Sequence, residues 1–125
     1  MGGAVGALAR WQLSAAIAPT AAFPLGILVV NLSGCLLLGF LFPYTLATEL
    51  APNVRLGIVT GFIGAYTTFS TWEDGTLALF RHGAPGVGAA YLAASFAGGL
   101  VCTVVGLAIA RRVLSPEAGR SPADD

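Results

Sequence analysis

The chain has 125 residues, 56% of them hydrophobic and only 10% charged, with a formal net charge of zero. Soluble domains carry roughly 25% charged residues, so this composition cannot clothe a water-facing surface, and the charge balance argues against a nucleic-acid partner. The sequence predicts an all-α protein with the lipid bilayer as its solvent.

Residues 1–18 form the first predicted span, apolar except for Arg10. A cleaved signal peptide is the rival reading, but such a peptide has its basic residues ahead of the apolar part, and here the arginine lies within it. Arg10 either snorkels to the interface or faces a vestibule that attracts anions. Prolines at 19 and 24 bound the first connection.

The second predicted span covers residues 25–42, a stretch near the roughly 18 apolar residues that mark a crossing. Asn31 lies deep within it, so its amide must bond across helices or face a water-filled path. Asn31, Leu32 and Ser33 match a glycosylation acceptor, but a site inside a span is unreachable. A break is expected at 43–53, between Pro43 and Asn53.

The third predicted span, 56–72, contains GFIGAYTTFSTW at 61–72. Apolar packing does not call for Thr67, Thr68, Ser70 and Thr71 side by side. Hydroxyls and glycines together predict a helix that opens near its middle, its freed carbonyls facing something other than lipid. Phe69 and Trp72, three apart, share a helix face and read as the lining of a path. The connection to the fourth span is expected at 73–85.

The fourth predicted span is 83–110, where Tyr91, Ser95, Gly99 and Thr103 recur every four residues as a polar or small stripe. Gly57 with Gly61, and Ala89, Ala93 and Ala97, have the spacing of close helix approach, within one chain or between chains. Cys35 and Cys102 fall mid-span as packing residues, with neither disulfide nor metal spacing. Residues 1–114 thus read as one membrane domain and 115–125 as a disordered polar tail. Four helices this small enclose a polar path poorly, which predicts an assembly. With both termini on one side, that side carries Arg55, Arg111, Arg112 and Arg120 against Arg81 alone on the other, favouring cytoplasmic termini.

In order and spacing, GGAVGALAR at 2–10, GILVVNLSG at 26–34 and GFIGAYTTFSTW at 61–72 resemble the CrcB/Fluc fluoride channels of microorganisms. The resemblance spans all four helices. It implies a four-helix subunit of the inner (plasma) membrane, its third helix broken. Two copies would form an antiparallel, dual-topology dimer with two pores that lets toxic cytoplasmic fluoride leave passively; no enzyme activity is implied. It further implies that Asn31 and Phe69 line each pore, that Arg10 makes the vestibule anion-friendly, and that Tyr91 and Ser95 fall on a polar track. A structural sodium ion would sit at the dimer axis among carbonyls near Gly64 and Thr67.

Fluoride holds its water tightly, so a selective pore must replace hydration with donors. The Asn31 amide and the hydroxyls of Thr68, Ser70 and Thr71 have protons to offer, and an aromatic ring presents a positive edge to an anion. Three positions depart from the family pattern. Trp72 stands where a second phenylalanine is usual, Ile27 where threonine is common, and Gly75 where many members have glutamate. Two other readings remain. A non-equivalent subunit of a heterodimeric fluoride channel would explain Trp72, whereas a small-multidrug-resistance-type exporter needs an acid in its first helix, and none precedes Glu49.

Overall fold

The computed structural model describes residues 1–17 and 23–115, so the expected tail beyond Ser115 and most of the first connection lie outside the described residues. Every described element is helical: α1 (Gly2–Ala16), α2 (Leu25–Ala47), α3 (Pro52–Leu56), a π-helical stretch (Gly57–Ile63), α4 (Gly64–Tyr66), α5 (Ser70–Arg81) and α6 (Pro85–Leu114). At about 1.5 Å per residue, the 23 residues of α2 and 30 of α6 reach roughly 35 and 45 Å, beyond the roughly 30 Å of a bilayer core. Both are apolar enough to cross one. Only 22% of the apolar window of α2 and 11% of that of α6 is buried, so their outer faces need lipid or a partner chain rather than water.

Two of the expected boundaries move. Pro43 does not end α2, which runs on to Ala47 and closes with Glu49 in the left-handed region (φ 51°), where the Leu50 and Glu49 N–H groups bond the Thr45 and Leu46 carbonyls. The connection expected at 73–85 shrinks to 82–84, because α5 continues to Arg81. Glu73 and Asp74 read as loop residues, yet they sit on the exposed side of an amphipathic helix, with Glu73 complementing the dipole of its first turn. Gly83 (φ 76°) then stops α5 with the same pair of bonds, Ala84 N–H to Leu79 and Gly83 N–H to Phe80, and Pro85 opens α6.

Backbones meet at glycines. A Cβ at Gly2 would strike the Gly57 carbonyl and one at Gly6 the Phe62 carbonyl, so α1 lies against the π stretch and α4 in the same direction. Between α2 and α6, Gly39 faces the Thr103 backbone and Gly106 the Leu36 carbonyl, while Leu32 abuts Gly98. These two helices therefore run parallel, in the most extensive contact of the molecule. The start of α1, the end of α2, the start of α3 and the end of α6 consequently share one end of the bundle, which gathers Arg55, Arg111 and Arg112. The core between the helices is small: Leu28, Leu79 and Tyr91 are buried together, with Phe23, Leu32 and Trp72 packed against them.

Candidate functional site: a cleft at a broken helix

The backbone opens between α4 and α5, where the hydroxyl run begins. Thr67 takes an extended conformation (φ −77°, ψ 156°) and ends α4 by giving both its N–H and its hydroxyl proton to the Ile63 carbonyl, each at 3.0 Å. Its methyl occupies the space that a Cβ at Gly34 would fill. The peptide group of Thr68 is then held by Asn31, whose Oδ1 accepts the Thr68 N–H at 2.9 Å and whose Nδ2 donates to the Thr68 carbonyl at 3.0 Å. The Thr68 hydroxyl accepts the Thr71 N–H at 3.3 Å and donates to the Thr71 hydroxyl at 3.0 Å, acting as the cap of α5. In an unbroken helix the N–H groups of Thr68 and Thr71 would bond the carbonyls four residues earlier, those of Gly64 and Thr67. Here both N–H groups are committed to side chains.

Beside the break lies a cleft of ≈ 350 Å³. It brings together Asn31, Thr67, Thr68, Phe69, Trp72 and Ser95 of the expected site residues. Trp72 stands at its centre. Its ring packs 5.3 Å from Phe69 at a 41° tilt and 5.6 Å from Phe96 edge-to-face at 85°. Its indole N–H donates to the Ser95 hydroxyl at 2.9 Å, which donates in turn to the Tyr91 carbonyl at 2.7 Å. Phe69 is 73% exposed within one chain.

Other expected residues lie outside the lining. Tyr91 is fully buried edge-on to Phe23 at 5.3 Å, its hydroxyl without a hydrogen-bond partner among the described residues. Ser70 and Thr71 are exposed at the start of α5, Arg10 is half-buried on α1, and Gly64 is exposed at the start of α4. Ile27 does not line the cleft either. At Gly75 a Cβ would come within 3.0 Å of the Pro24 ring, so a glutamate has no space there without moving that ring.

Sequence reasoning missed Phe96, Cys35 and Gly34 in the wall. The four-residue stripe through Ser95 passes one position before Phe96, so the stripe's neighbour was the only available signal. It also overcounted donors. Of the hydroxyls counted, Thr68 gives its proton to Thr71 and neither Ser70 nor Thr71 lines the cleft. The Thr67 and Ser95 protons are likewise committed to protein oxygens, which leaves the second N–H of the Asn31 amide and the ring edges to meet an anion.

Apolar helices with bare outer faces, one of them broken onto a neighbour's asparagine beside an aromatic-walled cleft, define a membrane protein built around a polar site at a helix break. The family described as CrcB-like protein, Camphor Resistance (CrcB), matches residues 1–107, and the chain belongs to it. It is 42% identical over 121 residues to fluoride-specific ion channel FluC 1 of Moorella thermoacetica, covering 94% of this chain and 86% of that protein. It is 40% identical over 118 residues to fluoride-specific ion channel FluC of Acidobacterium capsulatum (92% and 94% covered). To the FluC protein of Solibacter usitatus it is 42% identical over 117 residues (90% and 94% covered).

Proposed function

We propose that this chain is a fluoride-specific ion channel that lets cytoplasmic fluoride leave the cell passively and so confers fluoride resistance. The observation that carries the reading is the chemistry of the cleft wall. It offers an amide N–H and aromatic rings but no carboxylate and no basic side chain. A cation would find little there to replace its water, and a proton-coupled transporter would need a mid-span acid as a relay. A small anion meets donors and positive ring edges.

In the same reading the chain crosses the plasma membrane four times and works as an antiparallel dimer with a second copy or a homologous subunit. The exposed Phe69 and the bare face of α6, including Ala89, Ala93, Ala97 and Phe96, support a partner chain. The carbonyls of Gly64 and Thr67, which have lost their helical N–H partners, suit a sodium ion that is structural and not transported. Two chains would supply four such oxygens.

Liposomes containing only the purified chain test the function. They are expected to release fluoride with strong preference over chloride and without a proton gradient; comparable efflux of both anions would remove the proposal. Silent liposomes that conduct once a homologous chain is added would reassign this chain to a non-equivalent subunit. Trp72→Phe is expected to keep or raise the flux while lowering stability by about 1 kcal/mol, the worth of the lost bond to Ser95. A variant of unchanged stability without flux would show the indole N–H to be a ligand of the anion.

A further inference from the structure

The geometry points to Asn31 and Thr68 as positioning residues for a cation: by taking the Thr68 and Thr71 N–H groups, they keep the Gly64 and Thr67 carbonyls open to it. This rests on the reading of those carbonyls as a sodium site. It gives the cleft residues a task distinct from touching the permeating anion.

An amide N–H in the membrane interior must have an acceptor. At the break two acceptors compete for each of two N–H groups. For Thr68 they are Asn31 Oδ1, which holds it at 2.9 Å, and the carbonyl of Gly64, four residues back in a continuous helix. For Thr71 they are the Thr68 hydroxyl at 3.3 Å and the carbonyl of Thr67. Without the side-chain acceptors, the cheapest repair is to anneal the helix across 67–69, and annealing occupies the two carbonyl oxygens. Asn31 is well fixed for this role because its Nδ2 also bonds the Thr68 carbonyl, making the amide a two-point clasp on one peptide group. Gly34, three residues further along α2, leaves the room that lets Thr67 turn out of the helix beside it.

The consequence is a link between the cleft and the cation. The amide that lines the cleft also grips, through its oxygen and its nitrogen, the peptide group that follows the Thr67 carbonyl.

The test titrates sodium into the purified full chain, against an organic cation at constant ionic strength, and follows thermal stability and dimer association rather than flux. Thr68→Ser keeps the capping hydroxyl and is expected to match the wild type. Thr68→Val keeps the shape without the acceptor and is expected to need about tenfold more sodium for half-maximal stabilisation, the effect of one competing hydrogen bond. Asn31→Ala is expected to shift the midpoint at least as far, and Asn31→Asp, which retains an oxygen for the Thr68 N–H, less. If the wild type responds to sodium while Thr68→Val and Asn31→Ala titrate as it does, the positioning role is wrong and the sodium site stands. If the wild type is indifferent to sodium, the site and this role fall together. Should Asn31→Ala not fold, the Thr68 pair alone decides between these outcomes.

Discussion

Phe69→Ile is expected to abolish most fluoride flux while leaving a protein as well folded and as associated as the wild type. The ring is 73% exposed in one chain, and among the described residues its one ring contact is with Trp72, so its removal leaves the core untouched. Isoleucine fills comparable space and repels water equally well, but it has no ring edge to present to an anion. Loss of even one such contact to the passing anion would slow transport by about tenfold or more, the factor that about 1.4 kcal/mol in a barrier gives. Efflux from liposomes, normalised to reconstituted protein, measures it. Normal flux in this variant would show that the ring edge is not a ligand here.

Gly39→Val is expected to have the largest effect on the fold itself. A Cβ at that position would overlap the Thr103 carbonyl and approach its Cα to 3.1 Å, so α2 and α6 would have to move apart along their whole contact. Forcing extra atoms into a close-packed contact costs about 1–3 kcal/mol when side chains can adjust, and more is expected where the obstacle is backbone. Gly86→Ala is the control: nothing lies within 4 Å of a Cβ there, and alanine favours the helix by up to about 1 kcal/mol. Thermal unfolding and size-exclusion profiles in detergent should separate the two, with loss of the folded species for Gly39→Val alone. A Gly39→Val protein as stable as the wild type would show that the parallel pair tolerates separation.

Much of this architecture was legible because a membrane leaves a chain few options. Apolar length located α2 and α6, and the hydroxyl run located the break between Tyr66 and Ser70. Asn31 stood out because an amide in a span needs a partner. Its partner could not be read, since a bond to a peptide group 37 residues away follows from how α2 lies against the break and not from any spacing. Pro43 misled because a helix in a membrane tolerates an internal proline, and the Glu73–Asp74 pair misled because exposed charge does not stop a helix; the ends are set by Glu49 and Gly83 taking positive φ. Phe96 escaped because its role depends on the tilt of the Trp72 ring.

The π stretch Gly57–Ile63 carries a consequence for how this sequence can change. A π turn holds one residue more than an α turn can, so the stretch acts as a phase shifter: everything after it is rotated relative to plain α-helical counting. A one-residue deletion there would leave a continuous helix with all its backbone bonds, and nothing in composition would mark it as damaged. Yet it would turn Thr67 and Thr68 away from Gly34 and Asn31. Chain length between Gly57 and Ile63 is therefore a tuned quantity, and an insertion or deletion in this chain is better judged by the angle it imparts downstream than by the residue it adds or removes.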